Sequence, residues 1–357
     1  MNETTTGEAP IVDWQALGRI HGARFDAQGA LADFGDADGE LHTALGDGGV
    51  APLPALGGIR VVGADAASFL QAQLSQSVED QEPGEWRLAG LCNPKGRLLG
   101  LFHVLRFDDE DFLLLTSTEL IAGLVKRLRM FVLRARVAVQ DFSPHMGICG
   151  TTGSGALALT EATGTLPRGT GTVVHSGDTS VLHLGGEPER FLAVAHARDV
   201  DGLWASLTDA SRPLTPAAWR LLAIRAGEPS LTEATLEQYV PQQMNLDLIG
   251  GVSFNKGCFP GQEVIARLHY RGKPSRRMFR LGAPTGPVPS PGDPVVTADG
   301  TNAGEVVDAV AGPAGIEALA VLRLKHRNQQ DLRLGEQPAG FAELPYTVPD
   351  ADEAEAN

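Results

Sequence analysis

Apolar and polar positions along the chain alternate in short blocks. Ile59 to Val62 is a β-rich run closed by Gly63, and Asp65 stands where a helix N-cap would, ahead of Phe69, Leu70 and Leu74 at helical spacing. Leu98 to Phe107 and Phe112 to Leu115 predict two strands about the acidic turn Asp108–Asp111. Leu120, Leu124, Leu128 and Phe131 then mark an amphipathic helix, and Ala135 to Gln140 another strand. The pattern repeats downstream: Phe112-Leu113 aligns with Phe191-Leu192, Gly123 with Gly202, and Leu128 with Leu207. Both copies read as strand, link and helix, so two related α+β units are expected. Toward the end, Val295 to Thr297, the Asp299-Gly300 turn, Ala303 to Val310 and Ala318 to Leu324 predict a hairpin-rich β-barrel or sandwich.

Composition sharpens this picture. The chain has 357 residues, 43% of them hydrophobic, with 43 glycines and 23 prolines, which suits several globular units and excludes coiled coil, collagen and wholesale disorder. No run approaches the ~18 to 20 apolar residues of a membrane helix, and no secretory signal opens the chain, so no membrane association is expected. Three widely spaced cysteines make no disulfide framework, and a reducing cytoplasm is the expected setting. The net charge of -15 argues against direct nucleic-acid binding. Against that background, Arg267, Arg271, Lys273, Arg276, Arg277 and Arg280 fall in a stretch without acids. They read either as a charged strand edge or as a site for one particular anion.

The segment with the most chemistry is Asn255-Lys256-Gly257-Cys258-Phe259-Pro260-Gly261-Gln262-Glu263. Its glycines permit tight turns, and Lys256 favours the thiolate of Cys258 if both face one cavity. Gln262 and Glu263 offer donor and acceptor groups suited to the edge of a polar heterocycle. The alternative is a glycine loop around an inert cysteine. Trp219 opens a helical run ending at Gly227 and Pro229, and is either core or a stacking face for a flat ring. Gly150-Thr151-Thr152-Gly153-Ser154-Gly155 resembles a phosphate loop but lacks the following Lys-Ser or Lys-Thr, and no zinc-ligand spacing occurs, so no metal site is expected. His103 reads as a surface or satisfied core histidine.

These residues carry a family resemblance. Val240-Pro241-Gln242-Gln243-Met244-Asn245-Leu246, Gly250-Gly251-Val252-Ser253-Phe254 and the Lys256-Gly257-Cys258-Phe259-Pro260-Gly261-Gln262-Glu263 core, with Ala266-Arg267, resemble the YgfZ family of folate-binding proteins, itself similar to the aminomethyltransferase (T-protein) of the glycine cleavage system. The resemblance implies an α+β cloverleaf of three domains around a folate channel. The expected domains are residues 46–143 (completed by 213–265), 144–212 and a β-barrel over 266–348, between a loosely attached leader (1–45) and an acidic tail (349–357). It further implies tetrahydrofolate or a one-carbon derivative as cofactor, held by Trp219, Asn245, Gly257, Gly261, Gln262, Glu263 and Arg267, with Cys258 and Lys256 as reactive groups. Transient partnership with iron–sulfur proteins is implied too, in making or repairing their clusters, including those of enzymes that methylthiolate tRNA. Arg267, Arg271 and Lys273 are candidates for the folate glutamate carboxylates. Two departures stand out: Gly100-Leu101 replaces the catalytic acid of the transferases, and Arg225 replaces a glutamate before Ala226-Gly227. Alternatives are a folate-dependent one-carbon transferase and a redox thiol protein.

Overall fold

The computed structural model describes residues 12–349. Helix α1 (Trp14–Ile20), the two short strands β1 (Arg24–Phe25) and β2 (Leu31–Asp33), and helix α2 (Ala37–Leu45) come first. Asp13 and Asp36 cap the two helices by accepting from the amides of Ala16 and Gly39. This corrects the expectation of a loosely attached leader. Trp14 meets Trp204 edge to face at 5.9 Å, Phe34 stacks on the same indole, and Leu41 and Ala44 join the main core. Few but large apolar side chains anchor the segment, too sparse to show as a period. The first eleven residues, and the acidic tail beyond Pro349, lie outside the described residues.

Strand β3 (Gly48–Pro52) leads into β4 (Leu56–Val62), α3 (Ala66–Gln71), β5 (Trp86–Cys92), β6 (Leu98–Arg106), β7 (Asp111–Ser117), α4 (Thr118–Arg129) and β8 (Ala138–Asp141). Five of these strands form an antiparallel sheet in the order β5-β6-β7-β4-β8. Leu120, Leu124 and Leu128 are buried as their spacing predicts, but α4 stops at Arg129 and leaves Phe131 exposed. Asp65 precedes α3 without capping it; its carboxylate instead pairs with Arg136 at 3.0 Å.

The motif then recurs. Strand β9 (Met146–Gly153), α5 (Ser154–Thr163), β10 (Val173–Ser176), β11 (Thr179–Gly185), β12 (Arg190–His196) and α6 (Val200–Ala210) repeat the same order of strand, helix, three-stranded meander and helix. The second sheet runs β10-β11-β12-β9-β3, so β9 takes the place that β4 has in the first, and β3 closes the edge from upstream. The glycines of the 150–155 run serve this packing. A Cβ at Gly150 would collide with the indole of Trp219, and one at Gly155 with the backbone of Gly49.

Helix α7 (Pro216–Arg225) starts from Thr215, whose hydroxyl accepts from the Ala217 amide, with Pro216 at the first helical position. After irregular chain and α8 (Gln262–Tyr270) comes a closed antiparallel barrel of β13 (Arg276–Ala283), β14 (Pro294–Thr297), β15 (Asn302–Gly312), β16 (Gly315–Arg323), β17 (Leu332–Leu334) and β18 (Gln337–Ala342), in the order β13-β16-β15-β14-β17-β18. Gly300, at φ +83°, makes the anticipated turn between β14 and β15. Closure leaves the barrel without the free edges that invite aggregation. No helix among the described residues is long and apolar enough to cross a membrane.

Candidate functional site

A cavity of about 480 Å³ opens where the two sheets, α7 and the barrel meet. Leu88, Leu101 and Leu115 line it from the first sheet, Leu184 and Leu192 from the second, Trp219 and Arg220 from α7, and Asp308 from the barrel. Alternation along β6 puts Leu101 and His103 on the same face, and both reach the cavity. The wall is thus mostly apolar with a few polar groups, as small-molecule sites usually are.

The main polar feature is Glu228. One carboxylate oxygen lies 3.1 Å from His103 Nε2, and the other accepts from Arg190 at 2.8 Å. Burial alone would raise its pKa, but Arg190 and His103 outweigh that and hold it at about 2. The group is therefore an anion at neutral pH. Arg190 is almost wholly buried, with its guanidinium carbon 5.7 Å from the Trp219 ring centre. Trp219 is 8% exposed and lies against the β9 backbone, where Gly150 leaves room for it. Across the cavity, Asp308 pairs with Arg220 and accepts from the Ser230 hydroxyl at 3.0 Å.

The departure at Arg225 has a structural counterpart. Arg225 turns to the barrel, where Glu317 binds both it and Arg280 at 2.6 Å. The acid that this segment turns to the cavity is instead Glu228, three residues on. Gly227, at φ +65°, makes the turn between them, and a Cβ there would strike Tyr346 and Leu344. Reading the sequence missed Glu228, Arg190 and the part played by His103. The only available signal was an acid just after the Ala226-Gly227 pair.

Of the residues expected to hold folate or to react, Trp219 lines this cavity and the others do not. Asn245 is fully buried in a left-handed conformation (φ +59°) and ties the chain to the barrel by donating to the Met278 carbonyl at 2.8 Å. Gly261, at φ +81°, packs onto Gly96 and the Asn93 carbonyl in the β5–β6 turn. Gly257 is exposed with open space about it, Gln262 opens α8, and Glu263 and Arg267 are exposed on that helix. The anticipated pairing of Lys256 with Cys258 is replaced by another arrangement. The Lys256 ammonium donates to the carbonyls of Gln71, Leu74 and Gln76 at 2.6, 2.5 and 3.2 Å, so its three protons are engaged. Burial, opposed by Glu79 and Asp80, draws its pKa down to about 8. Cys258 is the exposed cysteine, whereas Cys92 and Cys149 are buried.

That difference predicts a large contrast in reactivity. Burial pushes the Cys92 thiol up to about 12 and raises Cys149 as well. Mass-resolved alkylation at neutral pH is expected to label Cys258 first and the other two only on unfolding. Equal labelling of all three in the folded protein would contradict it.

The fold is of the aminomethyltransferase type. The glycine cleavage system aminomethyltransferase T from Bartonella henselae superposes with a TM-score of 0.71 at 18% identity, over 92% of this chain and 95% of that one. Residues 34–165 match the GCVT N-terminal domain, and residues 276–349 the CAF17 C-terminal beta-barrel domain. Two relatives called tRNA-modifying protein YgfZ set the family. That of Colwellia psychrerythraea is 32% identical over 65% of this chain and 70% of its own. That of Hamiltonella defensa is 33% identical over 66% and 70%. The chain belongs to the YgfZ family.

Proposed function

We propose that this protein binds tetrahydrofolate or a one-carbon derivative in the cavity under Trp219. In this reading it serves as an accessory factor in the synthesis or repair of iron–sulfur proteins, including those that modify tRNA. The observation that carries the folate reading is the pairing of a flat indole with an ionised carboxylate in one apolar chamber. A pterin presents a planar ring and an edge of N–H donors. Trp219 supplies the stacking face and Glu228 the acceptor, each of its oxygens keeping a lone pair after bonding His103 and Arg190. Charge-assisted hydrogen bonds of this kind contribute ~1.5 to 3 kcal/mol each. The family relatives' description as tRNA-modifying supports the wider role.

Leu101 favours holding the folate over transferring its carbon. It occupies the cavity wall where the resemblance places the transferases' acid, and a leucine takes no proton. Cys258, exposed on the motif loop, is free to meet a protein partner instead.

Titration with tetrahydrofolate, followed by tryptophan fluorescence and calorimetry, tests the folate half. Saturable binding is expected, and Trp219→Phe should weaken it by about tenfold, or ~1.4 kcal/mol. Glycine-cleavage turnover should be absent. Failure of the wild type to bind any reduced folate, or equal affinity in the variant, would overturn the assignment of the cavity. Loss of iron–sulfur enzyme activity in cells lacking the protein, restored by wild type, tests the other half.

A further inference from the structure

A second concavity, of about 520 Å³, lies at one end of the barrel and shares no lining residue with the first. Its wall is Lys273, Pro274, Ser275, Arg276, Arg323, Leu324 and Lys325. The barrel register gathers these charges, since Arg276 stands directly opposite Arg323 across β13 and β16. Like charges in facing positions destabilise a sheet. Nearby arginines in the same strand are neutralised: Arg277 forms a two-pronged pair with Asp247, and Arg280 binds Glu317. The four cations of the concavity have no such partner among the described residues. Of the four, Arg323 alone forms a side-chain hydrogen bond among the described residues, donating to the Asn302 carbonyl at 2.5 Å. In a chain with 44 acids against 29 Lys and Arg, four converging cations without an acid in the wall form a marked local reversal of charge.

We propose that this concavity binds a compact, multiply charged phosphate, such as pyrophosphate or the phosphate chain of a nucleotide. Two guanidinium forks match phosphate oxygens two at a time, and two ammonium groups add point charges. A single carboxylate would leave most of that charge unanswered, whereas a diphosphate matches it. A compact anion also touches only the basic wall, while an extended nucleic acid would run over a surface of net charge -15. The wall has no aromatic side chain on which a base could stack.

Calorimetric titration of the full chain with pyrophosphate, inorganic phosphate, adenosine diphosphate and a short single-stranded RNA tests this. Pyrophosphate is expected to bind about tenfold tighter than inorganic phosphate, or ~1.4 kcal/mol. Adenosine diphosphate binding as tightly as pyrophosphate supports recognition of the phosphate pair alone, and tighter binding supports a nucleotide. The double variant Lys273→Gln/Lys325→Gln should weaken pyrophosphate binding by about tenfold or more. Its thermal midpoint should not move, because both lysines are exposed. Should that variant prove unstable, protection of Lys273 and Lys325 from acetylation by pyrophosphate in the wild type reads out the same contact. Absence of pyrophosphate binding, full binding by a stable double variant, no protection, or tighter binding of RNA than of pyrophosphate would each overturn the proposal. Folate affinity plays no part in any of these readings.

Discussion

Glu228→Ala is expected to lower stability by about 3 kcal/mol or more and to raise the dissociation constant for tetrahydrofolate by at least about tenfold. The stability loss follows from Arg190, whose side chain is 3% exposed and would keep its charge without a carboxylate to balance it. Breaking a buried pair from one side typically costs ~3 to 5 kcal/mol. The binding loss follows from the proposed role of the carboxylate as the pterin acceptor. Stability should also carry a pH signature. The folded pKa of Glu228, about 2, lies below the ordinary value of 4.5. Its contribution is therefore fully present above about 4.5 and is lost as pH falls toward about 2, amounting to roughly 3 kcal/mol. Denaturant melts at pH 7 and pH 3 measure the larger part of it. The wild type should lose more stability between these values than Glu228→Gln does. Adding Arg190→Gln to Glu228→Gln should restore part of the stability at pH 7 without restoring folate binding. If the single variant binds folate like wild type, the acceptor lies elsewhere.

Lys256→Met is expected to destabilise the protein by about 3 kcal/mol, by leaving three main-chain carbonyls without their charged donor. The ammonium joins the motif loop to the end of α3 and the turn after it. Its removal should therefore expose the loop around Cys258 to protease before the rest of the chain opens. A tetrahedral ammonium serves three carbonyls around one point, which a planar guanidinium does not, so Lys256→Arg should rescue little. Thermal melts and limited proteolysis check both. A methionine variant as stable as wild type, with an uncut loop, would return Lys256 to the role of activating Cys258.

What could be read without the structure was local. Strands β6 and β7, the helix carrying Leu120, Leu124 and Leu128, and the Asp299-Gly300 turn are written in short-range periodicity, because backbone geometry alone decides which neighbours share a face. The duplicated unit was visible for the same reason, since each copy repeats its own pattern. The Lys-Gly-Cys motif was visible as residue identities.

The tertiary structure alone decided which side chains meet. Glu228, Arg190 and His103 come from a loop, the second sheet and the first sheet, and only the docking of those units makes them one charged cluster. Arg225 occupies the place where the resemblance puts a glutamate, yet the end of α7 and the turn at Gly227 send it to Glu317 and bring Glu228 inward. Lys256 and Cys258 lie two positions apart, but the amine is turned into the carbonyls at the end of α3 and the turn after it while the thiol stays in solvent. Residues 14–45 carry too few apolar positions to show a period, and Trp14 and Phe34 find Trp204 only once α6 is in place. Periodicity is a property of neighbouring residues, whereas these contacts depend on sheet order and on chain closures that no short window contains.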